Sequence, residues 1–464
     1  MAAQPTSFSA FELKSKDTRF TPSELADRAL YRCAIDAAIW GMPAVNYHLM
    51  YQEMVRKVKG GFNQILYWSR LLDWKNQTLT PNPDVIYLMP FINTKDVGAV
   101  VLEIPPADDG VFNGSVMNYW QAAIEDVGPG GVDKGKGGKY LILPPGFDKA
   151  NVPAGYIPMP CETYQGYALL RSVLASGSDA DVAKAVTYSK RMKLYPLSQA
   201  GDPSPTIFVD ASNVVFDSSI PYDLRFFESL HQVLQVEPWL ERDKAMIDPL
   251  KTIGIERGKP FNPDVKTKQI LNDAIQETKA WFDARYDTLP PYYEGEHWFF
   301  PITEELHQNI MSDFRTPDSY PIDARGTAYT LAFFSAKHIG EAQYYLLTAT
   351  DQEGKPLDGK ASYRLRVPPD APVTQYWSMT VYDRATHTFI RNASAVGRSS
   401  QTPGLKRNKD GSVDIFFGFT TPSGQQSNWI PTDANGRFEV LARFYGPKKA
   451  LFDKSWKLPD IEKV

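Results

Sequence analysis

At 464 residues the chain is long enough for two or three domains and a sizeable core, and its apolar (43%) and charged (22%) fractions are those of an ordinary globular protein. A net charge of −4 excludes the broad basic footprint of a nucleic-acid or anionic-membrane binder, and two cysteines, Cys33 and Cys161, exclude a disulfide framework. The 13% aromatic content, with 24 Tyr, ten Trp and 36 Pro, favours β structure, ordered loops and ring-lined pockets over helical bundles.

In chain order, residues 1–20 are polar and aperiodic and read as a mobile or draped arm, without the basic and apolar regions of a signal peptide. No apolar run approaches ~18 residues, so no membrane span is expected and a cytoplasmic location is the default, a removed leader aside. Thr21-Pro22-Ser23-Glu24 is a capping box with proline at the first helical position. Leu25, Ala29, Cys33, Ala37 and Trp40 follow at helical spacing. Gly41-Met42-Pro43 is expected to interrupt this helix, with a second from about Val45 to Gly60-Gly61.

The stretch Lys75–Pro106 opens with a stiff polar loop, Thr80-Pro81-Asn82-Pro83-Asp84, whose two prolines fix φ on either side of Asn82. Two apolar runs, Val85–Ile92 and Ala99–Ile104, read as strands. Val111–Trp120 and Tyr140–Leu143 read as two more. The glycine clusters at 128–131 and 134–139 lack the spacing of a phosphate loop and precede a strand, so a flexible hairpin loop is expected. From Thr163 to Tyr286 the signals turn helical: Tyr167, Leu170, Val173 and Leu174 suggest an apolar helix face. Ser178 with Asp181, Asp223, and Asn262-Pro263 mark helix starts, and Thr206–Phe216 reads as a hairpin. From Tyr329 onward, short runs at 344–349, 363–367, 374–382, 413–419 and 438–444, punctuated by turn clusters, argue for an antiparallel sandwich. The ending, Ser455–Asp460, reads as a strap over a surface.

Several of these motifs carry a family resemblance. TPNPDVIY, the following hairpin VVLEIPP and the upstream AIWGMPAVNY resemble the first half of the paired DUF1254/DUF1214 proteins. GKPLDGKASYRLRVP, PVTQYWSMTVYD, NWIPT and FEVLARFYGP resemble the second half. The resemblance runs from about residue 25 to the end. It implies an α+β chain: a mixed helical and β N-terminal part and an all-β, sandwich-like C-terminal module. The corresponding division is an arm at 1–20, a DUF1254-like domain at 21–160, a mainly helical connection at 161–328 and a DUF1214-like domain at 329–464. It implies no reaction and no catalytic set. Ile39-Trp40 departs from the family's spelling at the helix break, a change to a pocket wall that puts shared substrate preference in doubt.

Serine-hydrolase, zinc-protease, iron–sulfur and nucleotide motifs are all missing. Glu304-x-x-His307 and His338-x-x-Glu341 could each place a carboxylate and an imidazole on one helix face. Such pairs can bind a divalent metal, but no metal ligand is assigned and no cofactor is expected. His338 stands just before the β module, where an inter-domain cleft would fall. Asn82, Asp84 and Tyr87 come from the stiff loop, Asn118 and Trp120 from a nearby strand, Arg325 and Tyr329 from the segment leading to His338, and Trp377 from the β module. For each, the bland alternative is a turn cap, an ion pair or a core ring.

The expectation is therefore an enzyme acting on a small polar or aromatic molecule by acid–base chemistry, hydrolytic or lyase-like, in the cleft between the modules. Asp84, Tyr87 and His338 are the catalytic candidates, with Arg325 as the anchor for negative charge. Asn82, Asn118, Trp120, Tyr329 and Trp377 complete the substrate-binding set. The alternatives are a non-catalytic carbohydrate or small-molecule binder using Trp120, Trp377 and Trp429 as platforms, and a structural subunit of a homo-oligomer. A small-molecule ligand is the expected partner; nucleic acid and membrane are not.

Overall fold

The computed structural model describes residues 19–331, 336–338 and 343–464. Helix α1 spans Pro22–Val58 and begins as its capping box dictates: Thr21 Oγ1 accepts from the Glu24 amide at 3.2 Å while the Glu24 carboxylate accepts from the Thr21 amide at 2.6 Å. The expected interruption at Gly41-Met42-Pro43 does not occur. Proline removes the donor that Ile39 O would have used, and tertiary contacts take over. Gly326 packs its backbone so closely that a Cβ there would lie 2.6 Å from Ile39 O. Arg325 donates to Trp40 O at 3.2 Å, and Gln121 Nε2 donates to Pro43 O at 2.7 Å. The helix ends where Lys59 turns left-handed, with φ 56°.

Nine strands follow: β1 (Gln64–Tyr67), β2 (Asn76–Gln77), β3 (Val85–Asn93), β4 (Val100–Ile104), β5 (Phe112–Asn118), β6 (Ala123–Val127), β7 (Gly138–Leu143), β8 (Tyr156–Pro160) and β9 (Gln165–Val173). Helix α2 (Asp179–Ser189), capped by Ser178, leads to β10 (Lys193–Pro196), β11 (Phe208–Asp210) and β12 (Phe216–Asp217). They build a six-stranded sheet, ordered β11-β1-β3-β9-β5-β6, packed on a four-stranded sheet, ordered β10-β4-β7-β8. Ile86, Leu88 and Leu170 of the first meet Leu102, Tyr140 and Ile142 of the second in a common core.

Four local expectations are corrected here. The runs now labelled β3 and β4 are not a hairpin, because they belong to different sheets. The glycine-rich segment before β7 is no hairpin loop either. It crosses between sheets, stapled by Asp133, whose carboxylate accepts from the Gly128 and Gly137 amides at 2.8 and 3.1 Å. Tyr167–Val173 is not helical but most of β9, hydrogen-bonded to β3 and β5. A strand buried on both faces reads as a continuous apolar run, which periodicity cannot tell from a buried helix. Phe208–Asp210 and Phe216–Asp217 pair in parallel with β1 and β2, so 206–216 is no hairpin.

Helices α3 (Leu224–Val236), α4 (Lys244–Ile247), α5 (Val265–Asp287), α6 (Glu304–Met311) and α7 (Ile322–Leu331) come next. Asp223 and Asp264 cap α3 and α5. Together with α1 they cover the other face of the six-stranded sheet, burying Met89, Phe91 and Leu169.

The remaining strands are β13 (Gln343–Thr348), β14 (Tyr363–Val367), β15 (Trp377–Asp383), β16 (Gly397–Ser399), β17 (Val413–Gly418), β18 (Trp429–Pro431), β19 (Phe438–Tyr445) and, after the short α8 (Lys449–Phe452), β20 (Glu462–Lys463). They form two four-stranded sheets, β13-β19-β15-β16 and β18-β17-β14-β20, antiparallel except where β17 meets β18. The expected sandwich is thus present. The closing strap lies across it, with Trp456 Nε1 donating to Pro369 O at 3.1 Å and β20 adding to the edge of β14.

Strand β19 explains how the two domains meet. Phe438, Val440, Ala442 and Phe444 point into the sandwich core. The alternate residues, Glu439, Leu441, Arg443 and Tyr445, are equally buried, at 0, 6, 3 and 3% exposure. They face the N-terminal domain, whose core Leu441 joins.

Candidate functional site at the domain seam

The stiff loop docks on that second face of β19. Pro81 O accepts from Tyr382 Oη at 2.7 Å, and Arg443 Nη2 donates to Thr80 O at 3.0 Å. Asn82 Nδ2 donates to Tyr445 Oη at 2.6 Å, while Asn82 Oδ1 accepts from the Asp84 amide at 2.9 Å. Two prolines pre-set a loop held by its Thr80 and Pro81 carbonyls and its Asn82 side chain, so its placement costs little entropy.

Two rows of side chains oppose each other across this seam. On the N-terminal sheet Tyr87, Arg171 and Asn113 are direct cross-strand neighbours on β3, β9 and β5. On the C-terminal sheet Tyr345, Arg443, Ser378 and Ser399 line up across β13, β19, β15 and β16. Arg171 donates from Nε to Tyr87 Oη at 3.3 Å, and its guanidinium lies 5.4 Å from that ring. Arg443 donates from Nη1 to Thr380 Oγ1 at 2.8 Å and from Nη2 to Tyr382 Oη. Among the described residues no carboxylate comes within ion-pairing distance of Arg443.

The two guanidinium groups share surroundings. Burial opposes the charge of each, but Tyr87, Tyr345 and Tyr445 favour both, joined at Arg443 by Tyr382, and each arginine is held above its ordinary pKa. Burial in turn pushes the hydroxyls of Tyr345 and Tyr445 well above ordinary tyrosine. Tyr345 and Asn113 are half-buried at the ends of the two rows. A separate cavity of about 10 Å³ beside Tyr87 and Pro81 has room for one water only.

Asp84 stands beside this pair. Burial pushes its carboxyl above the usual range, against the pull of the Arg443 charge and of the Ser378 and Ser399 hydroxyls. Those hydroxyls are near, yet Asp84 Oδ2 and Ser378 Oγ each lack a hydrogen-bond partner of proper geometry among the described residues. Tyr87 Oη accepts from Asn82 N (3.1 Å) and from Arg171, which leaves its own O–H to donate elsewhere.

The other sequence candidates lie elsewhere. His338 is held at the far strand of the sheet: Asp126 on β6 accepts from the Lys337 and His338 amides at 3.0 and 2.8 Å, and His338 Nε2 is 3.5 Å from Glu125. Strand β6 lies three spacings, ~14 Å, from the β3 of Tyr87, so His338 and Asp84 are not in contact. Glu341 lies outside the described residues. Arg325 is fully buried within the N-terminal domain, stacked between Trp120 (4.8 Å) and Tyr320 (4.9 Å), and its bond to Trp40 O ties α7 to α1. Tyr329, also fully buried, donates to Gln121 O. Asn118 Oδ1 accepts from the Ala122 amide at 3.1 Å, closing the turn between β5 and β6. Trp377 sits in the core of the sandwich and offers no free stacking face, while Trp429 is half-buried and donates to Gly418 O. On α6, His307 and an exposed Glu304 stand 3.9 Å apart. Among the described residues no group of three or more His, Cys, Asp or Glu has a metal-holding arrangement.

Sequence reasoning passed over Arg171, Arg443, Tyr345, Tyr382 and Tyr445. A signal existed for the arginines. Arg171 is the one charge in the apolar strand QGYALLRSV, and Arg443 shares FEVLARFY with Glu439 alone, where a buried charge is expensive without a purpose.

Family models for proteins of unknown function match on both sides of the seam, DUF1254 over residues 62–196 and DUF1214 over 342–449. The chain carries both domains. The DUF1254 match ends at Pro196 and so takes in β9 with Arg171; the DUF1214 match holds Tyr345 and Arg443. Among solved structures, the VPA0106 protein from Vibrio parahaemolyticus superposes with a TM-score of 0.55 at 19% identity, over 94% of this chain and 100% of that one, a likeness of fold. An uncharacterised protein from Burkholderia cenocepacia matches at a TM-score of 0.40 and 11% identity, over 95% of each chain. No curated protein matches. Among the described residues no helix is long and apolar enough to cross a membrane.

Proposed function

We propose that this protein is an enzyme acting on a small anionic molecule by acid–base chemistry at the seam between its two domains. One observation carries the reading: each domain contributes one buried arginine to the seam, Arg171 bonded to Tyr87 Oη and Arg443 to Tyr382 Oη. The role of anion anchor, expected of Arg325, passes to these two. Guanidinium groups set in a low-dielectric seam suit a carboxylate or a similar planar anion.

Asp84 is the proton acceptor. Burial makes its carboxylate a stronger base than an exposed aspartate, and its unpartnered Oδ2 is free to take a proton from the bound molecule. The electron pair stays on that molecule, where the Tyr87 O–H and the two guanidinium charges stabilise it. His338 holds the inter-domain connection on Asp126 and takes no part in this step.

The test starts with a panel of small organic acids and esters screened by thermal unfolding, followed by turnover of any stabilising compound. Asp84→Asn is expected to lower turnover about 100-fold or more while keeping the stabilisation. Full turnover by both Asp84→Asn and Tyr87→Phe would overturn the assignment.

A further inference from the structure

A second set of polar groups lies away from the seam, in an open groove of about 670 Å³. Its walls come from the end of α5, the segment 295–299 and the turn after β13, with Arg384 and Arg437 at one side. That volume is in the range of small-molecule sites. Leu289, Pro291, Phe299 and Pro356 make much of the lining apolar.

His297 is fixed within it. Its Nδ1 lies 2.6 Å from Asp460 Oδ2, and its amide donates to Asp460 Oδ1 at 2.8 Å. The Asp460 side chain is only 6% exposed, so the closing strap delivers a buried carboxylate to the back of an imidazole that faces the groove. Glu296 completes the cluster: the Asp460 amide donates to its carboxylate at 3.2 Å, and burial together with the Asp460 charge raises its pKa. With Nδ1–H given to Asp460, Nε2 is left as an acceptor. Nε2 has no hydrogen-bond partner among the described residues. It stands over Gly354, where a Cβ would come within 3.2 Å. Gly354 has φ +74°, so the turn calls for glycine and no side chain at 354 crowds Nε2.

The arginines divide the remaining work. Arg384 is committed to Asp283, Asp287 and Glu439, at 3.3, 3.0 and 3.8 Å. Arg437 is exposed and enters no ion pair among the described residues, so its guanidinium is available to a ligand. We infer that this groove is a second binding site, taking a small organic acid that also carries a hydrogen-bond donor such as a hydroxyl. Arg437 pairs with the carboxylate, His297 Nε2 accepts from the donor, and the apolar wall covers the carbon skeleton. The site is independent of the seam: none of its lining residues belongs to the Asp84–Arg171–Arg443 group.

Mandelate is a suitable probe, with phenylacetate as the matched acid lacking the hydroxyl, each titrated calorimetrically into the full chain. Saturable mandelate binding is expected, weakened about tenfold or more by Arg437→Met and by His297→Phe. Phenylacetate should bind the wild type several-fold more weakly than mandelate, and Arg443→Met should leave mandelate affinity in the groove unchanged. Arg437 is a surface residue, so Arg437→Met keeps the test open if His297→Phe fails to fold. Absence of mandelate binding, binding indifferent to Arg437→Met, or equal affinity for the two acids would each overturn the inference.

Discussion

Arg325 and Arg443 are both almost completely buried arginines, and they do different things. Arg325 stacks between two rings of its own domain and donates to a main-chain carbonyl beside Pro43 of α1. It braces the helix one residue from the carbonyl whose donor the proline removes. Arg443 reaches across a domain boundary, holds the Thr80–Asp84 loop by its carbonyls, and shares its tyrosines with an arginine from the other side. Burial of a charge therefore says little about purpose. What its charge meets, and from which domain, separates the brace from the candidate site.

The sharpest way to break this contrast is to remove each arginine in turn. Arg325→Ala should lose about 4 kcal/mol of stability, because Trp40 O loses its charged donor and two aromatic faces are uncovered. The same variant should retain the wild-type ligand response in whatever fraction remains folded, as seen by denaturant unfolding alongside the compound screen. A seam function lost in proportion to ligand contact, with stability intact, would reverse the roles.

Glu237 sharpens the contrast from a third side, since its buried carboxylate forms no ion pair among the described residues and is instead pushed up to about 7 by burial. Its carboxylate accepts from the Tyr164 and Gln165 amides at 2.8 and 3.1 Å, which only partly offsets the cost. A raised acid binds more protons folded than unfolded. Its contribution is complete below about pH 4.5, the ordinary glutamate value, and is lost as pH rises through about 7. The loss amounts to about 3 kcal/mol, and Glu237→Gln should flatten it in a series of melts between those pH values. A wild-type melting profile that climbs over the same window would contradict the assignment.

Arg443→Lys probes the geometry of the seam with its charge kept. One ammonium cannot serve Thr380, Thr80, Pro81 and Tyr382 together as a guanidinium fork does. Affinity for a stabilising acid should fall about tenfold, with only ~1 kcal/mol of stability lost.

Local chemistry was readable wherever one segment decides its own structure. Thr21, Ser178 and Asp223 cap helices as expected, and β13, β14, β15, β17 and β19 fall where alternation placed them. The failures share a cause. Pro43 stays inside a helix braced from nearly 300 residues away, where Arg325 donates to Trp40 O and Gly326 packs closely on Ile39. Segment 165–173 mimics a helix because it is central to a sheet covered on both faces. Asp84 and Tyr87 were visible in a stiff loop, but their charged neighbours come from β9 and β19, and no local pattern links those strands. Arg171 and Arg443 interrupt apolar runs, and that was the one available hint.

The central claim is that Arg171 and Arg443 act together on one bound anion. A double-mutant cycle with Arg171→Met, Arg443→Met and the double variant, read as affinity for an acid that stabilises the wild type, tests it most directly. A shared ligand predicts strongly non-additive losses, with a coupling of about 1 kcal/mol or more and a double variant little worse than either single one. Additive losses, or an acid whose affinity ignores both substitutions, would contradict it.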